Sequence, residues 1–145
     1  MSELLERVAE FSKKAHEGQF DKGGHPYYLH PQCVANMGTT EDEKIVALLH
    51  DVVEDTPITL EELKTQGFSD DVLAALKCLT KIKGEDYQTF IQRVATNPLA
   101  VKVKIQDLKD NMDLSRLGGK PHWKMETYKE ALIYLEQNLK KSECK

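Results

Sequence analysis

The sequence predicts an all-α bundle on three observations. Apolar residues recur at helical spacing in segment after segment, and capping residues, glycines and prolines bound most of those segments. The one stretch that alternates as a strand would, through Val101, Val103 and Ile105, has no partner of comparable alternation. An isolated strand cannot satisfy its backbone hydrogen bonds, so this stretch too is read as helix.

The elements follow in order. Leu4, Leu5, Val8, Phe11 and Ala15 form one face of an amphipathic helix that Gly18 closes. Residues 18–30 carry three glycines and Pro26, which predicts an ordered loop, the kind of segment that often carries function. Pro31 suits the first position of a short helix running towards Gly38, because its missing N–H has no helical acceptor there. Thr40 with Glu43 reads as a capping box, and Ile45, Val46, Leu48, Leu49, Val52 and Val53 make the helix it opens the expected core helix. Pro57 ends it, and Thr59 with Glu62 caps a short helix that stops near Gly67. Ser69 opens a helix with Val72, Leu73, Leu76 and Leu79. Another, with Tyr87, Phe90, Ile91 and Val94, runs to the Asn97-Pro98 break, and the segment from Leu99 to Leu114 follows. Gly118, Gly119 and Pro121 precede a last helix bearing Trp123, Tyr128, Leu132 and Leu135. The sequence thus reads as one domain over residues 1–139 and a polar tail over 140–145.

Composition narrows the function classes. At 145 residues, 40% hydrophobic and 30% charged, the chain has the composition of one globular domain that needs no disulfides. Cys33, Cys78 and Cys144 are odd in number and form no CxxC pair, so a thiolate zinc site is not indicated; the first two are expected to be buried. A net charge of −4 argues against a nucleic-acid binder, which usually carries a basic surplus. No apolar run approaches the roughly 20 residues that span a bilayer. The first residues are too acidic for a signal peptide, so a cytoplasmic protein without membrane contact is expected. No oligomer is predicted, although the Trp123–Leu135 segment would serve as core or as an oligomer contact.

Imidazoles and carboxylates cluster where the hydrophobic pattern does not ask for them. His50 and Asp51 follow Ala47-Leu48-Leu49 in the most apolar helix, and burying a carboxylate is costly unless it is paired or binds a metal. Glu54 and Asp55 lie one helical turn on, making two adjoining polar ridges. So many acids around a histidine are most simply explained by a cation. His30, at a loop-to-helix junction, and Asp107, inside an otherwise apolar run, are the further ligands. Two histidines and two carboxylates suit Mn²⁺, Zn²⁺ or Fe²⁺ better than Ca²⁺. For Asp107 the competing reading is a surface acid paired with Lys104, and for His16, His25 and His122 a structural role is expected.

These residues resemble a known family. His30-Pro31, His50-Asp51, Glu54-Asp55-Thr56 and Asp107 with Asn111 resemble the HD superfamily of metal-dependent phosphohydrolases, whose fold is a helical HD-domain bundle. With Ala15-His16-Glu17-Gly18-Gln19 and Pro26-Tyr27-Tyr28-Leu29-His30-Pro31, the likeness narrows to the hydrolase domain of RelA/SpoT-type alarmone enzymes, up to about Leu117. It implies hydrolysis of guanosine 3′,5′-bis(diphosphate), (p)ppGpp, at its 3′-pyrophosphate, using Mn²⁺ and releasing GDP or GTP with pyrophosphate. His30, His50, Asp51 and Asp107 would ligate the metal, Glu54 and Asp55 would orient or deprotonate water, and Asn111 would contact the sugar. Tyr27 is a base-stacking candidate, and Lys22 is a candidate for the phosphates alongside Lys81, Lys102, Lys104 and Lys109.

The resemblance departs at two places. Asp21-Lys22 stands where the family has Arg-Lys, so an anion replaces a cation expected on the guanine. Gln106-Asp107-Leu108-Lys109-Asp110-Asn111 stands where the family has Ala-Asp-Arg-Leu-x-Asn, which keeps the ligand and the asparagine but loses the arginine. A different phosphorylated nucleotide and a silent metal and nucleotide sensor are the alternatives.

Overall fold

Side-chain caps set the starts of five of the helices in the computed structural model, which describes residues 3–20, 24–112 and 125–143. Helix α1 spans Glu3–Ala15, α2 Leu29–Met37, α3 Glu41–Asp55, α4 Leu60–Thr65, α5 Asp70–Leu79, α6 Tyr87–Val94, α7 Pro98–Asn111 and α8 Met125–Glu143. Thr40 caps α3 in a complete capping box: its hydroxyl accepts from the Glu43 N–H at 3.1 Å, and the Glu43 carboxylate accepts from the Thr40 N–H at 3.1 Å. Thr59, Ser69, Asp86 and Asn97 open α4 to α7 in the simpler one-bond form. After α1, Gly18 turns the chain at φ +84°, the left-handed region that favours glycine.

The core lies around α3. Val46, Ala47, Leu49 and Val52 are at most 1% exposed, and the helix packs on α1, α2, α5 and α7. Among the described residues there is no strand, only an isolated antiparallel bridge between Phe20 and Pro26. None of the helices is long and apolar enough to cross a membrane.

Helix α7 explains its own ambiguous pattern. Ala100, Val101, Val103, Ile105, Asp107, Leu108 and Asp110 are all buried, and it touches α2, α3, α5, α6 and α8. A helix enclosed on several sides has no clean polar face, so its apolar residues lose the helical period.

Four expectations shift. Helix α2 begins at Leu29, so Pro31 occupies its third position, still within the first turn where no intrahelical acceptor is available. In α1 the buried stripe is Leu5, Val8 and Ser12, while Leu4 is 46% exposed. Cys33 is exposed and Cys78 half-buried, because neither sits on the inward stripe of α2 or α5. Helix α8 continues to Glu143, past residue 139, where the sequence pattern ends the domain. Asp21, Lys22, Leu114, Gly118, Gly119, Pro121, His122, Trp123 and Cys144 lie outside the described residues, as does the side chain of Asp55.

Replacing Thr40 by Ala removes the α3 cap and is expected to destabilise the protein by about 1 kcal/mol, with Thr40→Ser near neutral. Urea unfolding measures both; equal stability of the alanine variant and the parent would contradict the cap's role.

Candidate metal centre

Three helices bring four ligand-type side chains to one buried point. His30 comes from the first turn of α2, His50 and Asp51 from α3, and Asp107 from α7, and each is at most 7% exposed. One donor atom from each lies within 4.8 Å of all the others. His30 Nε2 is 2.7 Å from Asp107 Oδ1 and 3.7 Å from Asp51 Oδ2. His50 Nε2 is 3.3 Å from Asp107 Oδ1 and 3.4 Å from Asp51 Oδ2. Donors so spaced suit a single ion bound at roughly 2.0 to 2.2 Å by each. Two imidazole nitrogens and two carboxylate oxygens fit a divalent transition metal.

Each donor is held from behind. The His50 Nδ1–H donates to the Ala47 carbonyl at 2.7 Å, which turns Nε2 towards the carboxylates. The His30 Nδ1–H donates to Asp110, a buried acid one turn beyond Asp107. Tyr27 donates its hydroxyl to Asp51 Oδ2 at 2.8 Å, and Lys104 donates to Asp107 Oδ2 at 2.9 Å. The lysine pairing expected as a competing reading of Asp107 is therefore present together with the cluster: one carboxylate oxygen meets the ammonium, the other faces the histidines.

The loop before α2 serves Tyr27. The Gln19 carbonyl accepts the Tyr27 N–H at 2.8 Å, and the Gln19 side chain bonds His16 Nδ1 at 2.9 Å. His16 is 1% exposed, with its ring 5.0 Å from that of Tyr27. The Ala15–Gln19 run thus helps to fix the tyrosine that touches Asp51.

The remaining candidates are placed less closely. Glu54 is exposed, and its Oε1 accepts the Lys81 N–H at 3.1 Å. Arg93 pins that loop by donating to the Lys77 and Thr80 carbonyls at 2.8 Å each, and to Glu85. Asn111 is half-buried at the last turn of α7. Of the candidate lysines, Lys102 and Lys109 are exposed, and Lys81 lies over the Tyr87 ring at 5.5 Å. Among those within the described residues, only Lys104 bonds a cluster carboxylate. Sequence reasoning gave Asp110 no role; its spacing of three from Asp107 on a helix was the available signal.

Electrostatics bind the cluster together. Burial lowers the His30 pKa, but bonds to Asp107 and Asp110 and the charge of Asp51 outweigh it and hold the ring up at about 10. Burial also opposes charge on His50, and Asp51 and Asp107 overcome both that and repulsion from His30, raising it to about 9. For Asp107, burial works against ionisation while Lys104 and the two histidines pull the carboxyl well below its usual range.

Residues 9–106 match the family model described as HD domain. The chain is 35% identical over 123 residues to the guanosine-3′,5′-bis(diphosphate) 3′-pyrophosphohydrolase of Aquifex aeolicus, covering 77% of this chain and 18% of that protein. It is 32% identical over 126 residues to the probable GTP pyrophosphokinase of Mycobacterium leprae, covering 78% and 16%. The chain therefore spans less than one fifth of the length of the curated relatives it matches. A solved structure described as "A metazoan ortholog of SpoT hydrolyzes ppGpp and plays a role in starvation responses" superposes with a TM-score of 0.75 at 24% identity, covering 97% of this chain and 94% of that one, a likeness of fold.

The raised histidine pKa values give a signed expectation for the metal-free protein. Folded His30 and His50 bind protons more tightly than the unfolded chain does, whose histidines titrate near 6.5. The stability they contribute is complete below about 6.5 and is lost as pH rises through about 9 to 10. Urea unfolding after chelation should show stability falling across that window, with His50→Gln as the control for other groups. A difference between parent and control that stays flat with pH would contradict the charge assignment.

Proposed function

The chain belongs to the HD domain family, and on that premise we propose that it is a metal-dependent phosphohydrolase that cleaves the 3′-pyrophosphate of (p)ppGpp, with Mn²⁺ as its cation. The observation that carries this reading is the buried convergence of His30, His50, Asp51 and Asp107 within 4.8 Å. The substrate rests on the relatives, since the Aquifex aeolicus protein is named for hydrolysis of this bond. Products would be pyrophosphate and GDP or GTP.

The chemistry divides among named residues. His30 and His50 would hold the cation through Nε2, and Asp51 and Asp107 through the oxygens that face those nitrogens. A divalent ion held there lowers the pKa of water and polarises a phosphoryl oxygen. Glu54 and Asp55, at the end of α3, would accept the proton of the attacking water. The Lys81 amide restrains Glu54, which favours a fixed base over a freely rotating one. Asn111 and Tyr27 would contact the nucleoside, with Lys22 near the phosphates. Tyr27 would do so with its hydroxyl committed to Asp51, leaving the ring as its contact surface.

A second reading keeps the metal and the hydrolysis but changes the nucleotide. Asp21 favours it, because a carboxylate there replaces the family's arginine at the position expected to meet guanine. A substrate bearing a ribose 2′- or 3′-phosphate on another base belongs to this reading.

The test is hydrolysis of (p)ppGpp by purified protein reloaded with Mn²⁺, with product analysis. Pyrophosphate together with GDP or GTP supports the first reading. No turnover of (p)ppGpp, with cleavage of another nucleotide in a panel, supports the second. Glu54→Gln should lower turnover by roughly 10²- to 10⁴-fold, the usual span of general-base catalysis, with unchanged Mn²⁺ affinity. Full activity in that variant would remove Glu54 from the mechanism.

A further inference from the structure

We propose that Asp110 is a positioning residue for the metal centre: it fixes His30 with Nδ1 protonated and Nε2 turned to the ion, and supplies a negative charge behind the ligands. The inference rests on the metal-centre reading of His30, His50, Asp51 and Asp107, and goes beyond it to a residue that does not touch the ion. Asp110 is 4% exposed, in the last turn of α7, and its Oδ2 accepts the His30 Nδ1–H. His30 Nε2 is then the nitrogen left facing Asp107 Oδ1 and Asp51 Oδ2.

Helix geometry supplies the pairing. Asp107 and Asp110 are three residues apart on α7, so both point to the side of the helix that meets α2. One of them reaches each ring nitrogen of the same histidine. A ring gripped at both nitrogens cannot flip or tilt without breaking a bond to a buried carboxylate. His50 has a backbone carbonyl in the corresponding place, a neutral acceptor that orients but adds no full charge. The two histidines are therefore not equivalent, and His30 is the more basic ligand.

This site-specific acid sits at the position that the Ala-Asp-Arg-Leu-x-Asn pattern leaves open, between Lys109 and Asn111. A buried carboxylate is costly wherever it has no partner, and here a ligand ring is one of its partners. Removing it would leave the Nδ1–H of a buried imidazole without its acceptor.

Two variants separate orientation from charge. Asp110→Asn keeps an acceptor oxygen but removes the charge, and Asp110→Ala removes both. Mn²⁺ binding to the chelated full chain, measured by titration without substrate, should weaken by about 10-fold for Asn and up to about 100-fold for Ala. Nitrogen-15 spectra of the Zn²⁺-loaded protein, with labelled histidine, should show the His30 Nδ1–H exchanging slowly with solvent in the parent and in Asp110→Asn, and faster in Asp110→Ala. Circular dichroism and thermal melting identify a variant that fails to fold. In that event Asp110→Asn alone decides, and affinity within about 2-fold of the parent overturns the charge role. Parent-like affinity and an equally slow His30 Nδ1–H exchange in a folded Asp110→Ala overturn the whole proposal. Failure of the parent to bind Mn²⁺ or Zn²⁺ overturns the metal-centre reading and this inference with it, a result distinct from binding that ignores residue 110.

Discussion

Three carboxylates, Asp51, Asp107 and Asp110, lie within the protein at 7% exposure or less, and the rest of the centre is arranged around the need to neutralise them. Buried charge is tolerated only when paired, because the interior cannot replace the hydration it removes. Among the described residues, the positive partners in direct contact are Lys104 and the rings of His30 and His50. With both rings protonated, three positive groups meet three negative ones. A divalent cation that displaces one proton from each ring leaves that balance intact, so the cluster can exchange two protons for one ion without acquiring net charge. A divalent ion thus fits these side chains, and the mixed nitrogen and oxygen donors narrow the type of metal.

The fold serves this requirement by enclosing α7 and α3. A surface helix could display Asp107, but solvent would screen it and weaken its hold on the histidines. Helix α7 instead packs among five others, and Lys104, one turn before Asp107, remains charged in spite of burial because the carboxylate raises its pKa. Helix α3 contributes its most apolar turn directly before His50, so the same packing that stabilises the core sets the position of two ligands. Stability and site geometry are therefore linked: loosening Leu49 or Val52 would move His50 and Asp51 as well.

Much of this was legible in the sequence. Capping residues announced α3 to α5, and His50-Asp51 in an apolar helix already implied a partner or an ion. Asp107 was legible for the same reason, as a lone acid in an apolar run. Asp110 was not, because it follows Lys109 and precedes Asn111 in a polar stretch that reads as a solvated helix end. Its spacing from Asp107 places it on the same helix side, but the contact that gives it a partner is with a residue 80 positions away. The hydroxyl of Tyr27 on Asp51 was hidden likewise, since a tyrosine beside glycines reads equally well as core packing or as a surface for a base. The cysteines show the converse error: residue type alone suggested burial, whereas helix phase decides it and leaves Cys33 outside.

The outer partners also constrain how the site can evolve. Tyr27, Lys104, Asp110 and the Ala47 carbonyl each fix one ligand: Lys104 and Ala47 hold a ligand of their own helix, whereas Tyr27 and Asp110 reach across to a ligand on another element. On the proposed function a change of substrate needs none of them to move, because the candidate nucleotide contacts before Tyr27 could vary while the ligands stay held from behind. Asp21 is such a departure in sequence, and it comes with all four ligand-type residues present. A change of metal would instead require altering the charge or the donor type at the centre, where each substitution leaves a buried partner unpaired. On the proposed function the two properties are therefore separate: substrate choice would rest with residues before Tyr27, and the metal with a buried set of paired charges in which each substitution costs a partner its contact.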